Sequence, residues 1–134
     1  LGVTEFLTFV PNVFDLSTSL SAMDIYCLPS IKQGLGTIML EAMARARPVI
    51  ASKVGGVYGV VTHDETGLLV PPSDSDALSN AIIKLLLNPQ RAQEIGRAAR
   101  ERVLTDFPVS RMVEQTAALY RDVLAEGAVM SESA

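Results

Sequence analysis

The fold of this chain is decided by residues 29–44, PSIKQGLGTIMLEAMA. They lie between two short runs of strand-forming residues, 24–28 and 49–51. The segment itself begins as a glycine-bearing loop and continues with helix-forming residues from about 36 to 45. This order predicts a strand, a loop, a helix and a second strand parallel to the first.

The flanking residues extend this alternation in both directions. Further strands are predicted at residues 6–10 and 68–70, and a short helix at 15–23. Downstream the pattern is helical, with helices over about 74–88, 89–104 and from Pro108 onward. The predicted fold class is α/β, a Rossmann-like doubly wound parallel sheet closed by C-terminal helices. Residues 1–126 form one domain in this interpretation, and 127–134 form a frayed tail.

Composition limits the kind of protein that this chain can be. It has 134 residues, of which 49% are hydrophobic and 19% charged, as in ordinary globular domains. The net charge of -4 argues against a nucleic-acid partner. No apolar run reaches the roughly 18 residues of a membrane helix, so no transmembrane segment is expected. The single cysteine, Cys27, has no internal disulfide partner and favours the cytoplasm.

The loop and helix start within residues 29–44 predict an anion site. Unpaired N–H groups and the helix dipole favour phosphate at such a place, and Gly34 and Gly36 permit close backbone approach. Thr37 and Ile38 would present free N–H groups, while Glu41 falls one turn further on, within reach of a ribose. From spacing alone, a tight turn beside a solvated Glu41 explains the pattern equally well.

A series of motifs extends well beyond this loop. In order and spacing, the series resembles the family-four retaining glycosyltransferases over roughly residues 6–124. The resemblance implies the C-terminal, donor-binding part of a two-domain GT-B enzyme that moves a sugar from a nucleoside diphosphate sugar to an acceptor with retention of configuration. Its partners would be the nucleotide-sugar donor and the N-terminal domain of the same protein, with no metal and no cofactor. The matching segments are Pro29-Ser30, Gly34-Leu35-Gly36, residues 40–44, 48–52, Gly55-Gly56, 67–72 and 76–78.

The resemblance also implies roles for individual residues. Glu41 matches the second Glu of the family's motif of two glutamates separated by seven residues, and would bind the ribose hydroxyls. The main chain of three residues would line the donor sugar, and three further residues lie where the start of the helix would meet the pyrophosphate. The first set is Gly34, Leu35 and Gly36, and the second is Thr37, Ile38 and Met39.

Three positions depart from the family pattern. Gln33 stands where the family has its first, catalytic Glu, Gly59 stands where a Glu is usual, and Ala46 stands where a Gly ends the helix. A left-handed helix end would strain Ala46. The departures leave open a catalytically decayed nucleotide-binding or structural module of the same fold. A sugar-nucleotide epimerase would share the fold without this signature.

Doubly wound domains contain about five or six parallel strands, more than the three or four predicted here. We therefore expect a fragment that lacks at least one strand-helix-strand unit at its front, is inactive alone, and can form homo-oligomers through an exposed sheet edge.

The other polar residues have plainer interpretations. Cys27 is predicted to be a core thiol and His63 a solvated loop residue. Lys32 and Lys53 follow strand ends and would either face the ligand crevice or lie on the ordinary surface. An exposed helix with internal ion pairs is predicted from Arg91, Arg97, Arg100 and Arg102, which alternate with Glu94 and Glu101.

Overall fold

The computed structural model describes residues 2–11 and 13–132 and contains a parallel sheet of three strands in the order β1-β2-β3. The central strand, β2, pairs on both sides, with Ile50 opposite Cys27 on β1 and opposite Leu68 on β3. The strands are β1 (Tyr26–Leu28), β2 (Val49–Ser52) and β3 (Leu68–Val70). All three were predicted from the sequence, and the α/β class is confirmed.

Six α-helices lie in the part of the chain that the structure describes, and side-chain caps fix several of their starts. The carboxylate of Asp74 accepts from the N–H of Ala77 at 2.8 Å, and the Asn88 amide oxygen accepts from Arg91 at 3.1 Å. The helices are α1 (Leu16–Ala22), α2 (Thr37–Ala44), α3 (Val57–Val60), α4 (Ser75–Leu86), α5 (Pro89–Asp106) and α6 (Val109–Glu132). Only α3 was not predicted.

The core has two layers, one on each face of the sheet. Val49 and Ala51 of β2 pack with residues of α1, α2, α3 and α5, whereas Ile50 between them packs with residues of α4. Because successive strand residues point to opposite faces, this division makes the sheet doubly wound. Helix α5 contributes to both layers, with Ile95 in one and Ala99 in the other.

The predicted strand at residues 6–10 is wrong. Thr4–Phe6 forms a single 3-10 turn, and the chain that follows is extended without pairing. Phe6 is 78% exposed and Phe9 is 89% exposed. A strand needs a hydrogen-bonding neighbour, and the sheet in the described part of the chain contains only β1, β2 and β3.

The end of α2 confirms the predicted strain at Ala46, whose φ is 56°. Its N–H donates to the Met43 carbonyl at 2.9 Å, and the N–H of Arg47 donates to Ala42 at 3.0 Å, which closes the helix. Helix α5 packs directly against this turn. A Cβ on Gly96 of α5 would collide with the Ala46 carbonyl oxygen, so the two backbones are in contact there.

The tail predicted at 127–134 overlaps the end of the last helix. Helix α6 continues as far as Glu132, and residues 133–134 lie outside the described residues. Much of its apolar side is uncovered, including Met112, Leu119 and Val123. No helix in the described part of the chain combines the length and the apolarity needed to cross a membrane.

Candidate functional site

Two loops meet at the carboxyl edge of the sheet, one following β1 and one following β2. A Cβ on Gly55 would collide with the carbonyl oxygen of Gln33, and a Cβ on Gly56 would stand 2.5 Å from the carbonyl oxygen of Gly34. Both positions therefore require glycine, because the loops touch backbone to backbone. The sequence motifs contained both glycine pairs but gave no sign that they are in contact.

The loop after β1 ends at the start of α2. Gly36 is buried and left-handed, with φ of 73°, and it offers no side chain to cap the helix. The N–H of Leu40 makes the first helical bond, to the Gly36 carbonyl at 3.2 Å. The N–H groups of Thr37, Ile38 and Met39 precede that bond and form the positive end of the helix dipole.

The side chains at this helix start divide between solvent and core. Thr37 and Ile38 are exposed, whereas Met39 is fully buried in the layer that contains β2. Met39 has no exposed surface, so of these three residues only Thr37 and Ile38 are open to solvent. Gly34 and Leu35, which precede the buried Gly36, are exposed.

Gln33 is half-buried, and its amide is held by a neighbouring hydroxyl. Ser30 Oγ donates to Gln33 Oε1 at 3.2 Å. This bond uses one of the two lone pairs of the amide oxygen and neither of the N–H groups, so both donors are left for a ligand. A glutamate in the same place would offer acceptors only.

Glu41 lies one turn into α2 with its side chain 47% exposed. Its carboxylate is 3.7 Å from the guanidinium of Arg45, which also donates to the Glu41 carbonyl at 3.0 Å. An ion pair this exposed contributes about 0–1 kcal/mol, so it holds the carboxylate only weakly. Glu41 therefore remains accessible to a ligand at the helix start.

The lysines at the strand ends differ in how they are held. Lys53 follows β2, its N–H donates to the Val70 carbonyl at 2.8 Å, and its Nζ lies 5.7 Å from the centroid of the Tyr58 ring. It is exposed and precedes Gly55 by two residues. Lys32 is also exposed, in the loop after β1. Both lysines therefore lie on the surface at the carboxyl edge of the sheet.

The arginines of α5 are only partly the exposed row that was predicted. Arg97 and Arg100 are exposed, but Arg91 and Arg102 are half-buried and reach the segment between α3 and β3. Arg91 donates to the Asp64 carbonyl, and Arg102 donates to Thr62 Oγ1 at 2.7 Å and to the Gly59 carbonyl at 3.1 Å. Charge spacing along α5 could not reveal these contacts, because their partners lie in a different part of the chain, at residues 59–64.

Other side chains of this segment have structural roles. His63 is exposed, as predicted, but its Nδ1 accepts from the N–H of Leu69 at 2.9 Å and so satisfies an edge donor of β3. Lys84 Nζ donates to the Asp64 carboxylate at 3.0 Å and thereby holds the pKa of Asp64 below its usual value.

Cys27 lies on strand β1, away from this segment. Burial raises the pKa of its thiol, as expected for a core cysteine.

A cavity of about 590 Å³ lies at the amino ends of β1 and β2, lined by Asp24, Pro48, Leu85 and Arg97 among others. It contains none of the predicted site residues. Within residues 2–11 and 13–132, no three potential metal ligands of the His, Cys, Asp and Glu types lie together.

Comparison with known proteins gives a family match and close relatives. The model of the family described as "Glycosyl transferases group 1" matches residues 2–102. The alpha-maltose-1-phosphate synthase of Mycolicibacterium smegmatis is 43% identical over 112 residues, which cover 79% of this chain and 29% of that enzyme.

Solved structures give the same result. The sucrose-phosphate synthase of Thermosynechococcus elongatus superposes with a TM-score of 0.88 at 40% identity, over 92% of this chain and 32% of that one. Anabaena HepE in complex with UDP-glucose superposes with a TM-score of 0.78 at 27% identity, over 80% of this chain and 30% of that one. The chain thus spans about three-tenths of the length of these relatives.

Proposed function

Because this chain belongs to the group 1 glycosyl transferases, we propose that its parent protein moves a sugar from a nucleoside diphosphate sugar to an acceptor with retention of configuration. The chain would supply much of the donor site. The remainder of the crevice would come from the N-terminal domain, so the chain alone would not turn over. No metal or cofactor enters the proposal, and its location would be the cytoplasm.

One observation carries the proposal: two glycine-bearing loops touch beside an uncapped helix start at the carboxyl edge of a parallel sheet. Ligands of open α/β sheets bind at this edge. The N–H groups of Thr37, Ile38 and Met39 would receive the pyrophosphate, and Gly34, Leu35 and Gly36 would line the donor sugar. Glu41 would bind the ribose. The complex of Anabaena HepE with UDP-glucose supports a nucleotide sugar as the ligand.

The same geometry suggests how the chain would assist the reaction. When the bond to the sugar breaks, negative charge develops on the leaving diphosphate. Free N–H groups at the start of α2 would stabilise that charge, and they are already in place before the reaction. Gln33 would donate hydrogen bonds to the sugar, but it places no negative charge beside a developing oxocarbenium ion.

The decayed module remains the second candidate because of Gln33 and Gly59. A Cβ on Gly59 would meet nothing within 4 Å, so packing does not forbid a glutamate there. The missing carboxylate at position 59 is therefore a difference in chemistry that packing does not impose. A module of this kind would keep nucleotide binding and lose transfer, or keep only the scaffold.

Glu41 supplies the test. In the full-length protein, calorimetry with UDP, GDP and ADP identifies the preferred nucleotide, and the same titration is repeated with Glu41→Gln. We expect binding to weaken by about 1.5–3 kcal/mol, the usual contribution of a hydrogen bond to a charged group. Glu101→Gln, at an exposed carboxylate of α5, is the control and should leave affinity unchanged.

Two results would count against the donor site. Unchanged affinity in Glu41→Gln would remove the ribose contact, and absence of binding by the wild-type protein would leave only the scaffold. Nucleotide binding without donor hydrolysis or transfer to any acceptor would favour the decayed module.

A further inference from the structure

The contact between the two loops depends on the position of α3, a segment too short to be stable without tertiary contacts. Gly55 and Gly56 lead directly into α3, which has only four residues. A helix this short is unstable alone, because its few hydrogen bonds do not offset the free-energy cost of forming the first turn. Its position must therefore come from tertiary contacts, of which buried Val57 and Val60 supply one side.

Arg102 supplies the other side. One terminal nitrogen, Nη2, donates to the Gly59 carbonyl in α3 at 3.1 Å, and Nη1 donates to Thr62 Oγ1 just beyond the helix at 2.7 Å. Its Nε is buried, has no hydrogen bond and lies 3.8 Å from Asp106 Oδ2. The guanidinium thus sits at the C-terminal end of α3, where a cation is favourable.

The support for Arg102 is itself rigid. Arg102 belongs to α5, whose Gly96 crosses the end of α2 in backbone contact and whose Ala99 and Val103 are buried. The structure therefore joins α2, α5, Arg102 and α3 in one continuous path. That path returns to α2 through the loop contact between Gly56 and Gly34.

We infer that Arg102 is a positioning residue, which fixes α3 so that Gly55 and Gly56 stay against the backbone of Gln33 and Gly34. This inference rests on the proposed function, in which Gly34 lines the donor sugar. Arg102 makes no hydrogen bond to any of the residues predicted to bind the donor. Its effect passes through the loop, and an arginine is needed because a planar fork reaches two acceptors that one ammonium does not.

The test uses the full-length protein, the nucleotide selected above and the glucose donor of that nucleotide. Arg102→Met keeps the aliphatic stem and removes both hydrogen bonds. We expect kcat/KM for donor hydrolysis to fall about 10- to 100-fold, since small displacements of positioning groups have effects of this size. Affinity for the bare nucleotide should stay within about twofold, because that ligand has no donor sugar to contact the loop.

Arg91→Met is the matched control. It removes an arginine of the same helix that also donates to a backbone carbonyl, that of Asp64, but it does not reach α3. We expect it to lower the thermal midpoint as Arg102→Met does and to leave kcat/KM near the wild-type value. Arg102→Lys restores a cation and one donor, so its kcat/KM should lie between those of wild type and Arg102→Met. It also serves if Arg102→Met fails to fold.

The possible failures are distinct. Equal kcat/KM in Arg102→Met and Arg91→Met, with only the thermal midpoint changed, would reduce Arg102 to a structural residue. Full activity in Arg102→Lys would contradict the part of the inference that requires a guanidinium to reach both acceptors. A wild-type protein that binds neither nucleotide nor donor would instead overturn the proposed function, and this inference with it.

Discussion

At the scale of single residues, Gln33 decides what the site is able to do. We expect Gln33→Glu in the full-length protein to raise donor turnover or change the preferred sugar. A carboxylate about 4 Å from the developing positive charge, at an effective dielectric near 20, would stabilise it by at most about 4 kcal/mol, or nearly a thousandfold in rate. Ser30 Oγ would still find an acceptor at position 33, so folding should not change.

Two measurements separate this effect from a general one. Affinity for the bare nucleotide should be almost constant in Gln33→Glu, and Gln93→Glu, at an exposed position of α5, should alter neither quantity. If turnover and sugar preference both stay at the wild-type values, Gln33 does not face the donor. A large loss of nucleotide affinity would place it at the phosphates instead.

At the scale of elements, the turn after α2 carries avoidable strain. Ala46 has φ of 56°, a left-handed conformation that glycine adopts without a Cβ penalty. We expect Ala46→Gly to stabilise the protein by about 0.5–1 kcal/mol in urea denaturation. Ala98→Gly, inside α5, should destabilise it by about the same amount. A loss of stability in Ala46→Gly would show that the turn relaxes to accommodate alanine.

Most elements could be predicted because the signal is local. A capping residue such as Asp74 predicts a helix, and a short apolar run such as 49–51 predicts a strand, from only a few neighbouring residues. Helix α3 was missed because four residues around Gly59 carry no helical period, and it is held by Arg102 from a distant helix. The strand at 6–10 was wrong because pairing depends on a neighbour that local sequence does not specify.

The site was predictable to the same extent. Gln33 to Glu41 lie on one loop and helix, so their order along the chain already places them together. The contact of Gly55 with Gln33 and the anchoring role of Arg102 depend on how separate elements pack. Spacing along the chain contains no information of that kind.

At the scale of the whole molecule, the described chain leaves an unusual amount of apolar surface in contact with water. Phe9 is 89% exposed and Phe14 is 100% exposed near the start, and at the other end the apolar stripe of α6 includes Leu119 and Val123 at 59% and 57%. Strand β1 pairs only with β2 among the described residues. The relatives are about three times longer, so we propose that the rest of the parent covers these surfaces.

The chain by itself should therefore associate. Burying one large apolar side chain contributes about 1.5–3 kcal/mol, so contacts that bury several such side chains on each copy can exceed the roughly 4–15 kcal/mol that association costs. Light scattering should report a mass that rises with concentration above the 14.3 kDa of one chain. Two variants locate the contact: Phe9→Ser with Phe14→Ser removes the N-terminal surface, and Leu119→Glu with Val123→Glu places charges in the stripe of α6. Restoration of a monomer by one pair assigns association to that surface, whereas association that survives both pairs points to the free edge of β1. A wild-type chain that stays monomeric at high concentration would show that the exposed surfaces do not drive association and would contradict the prediction.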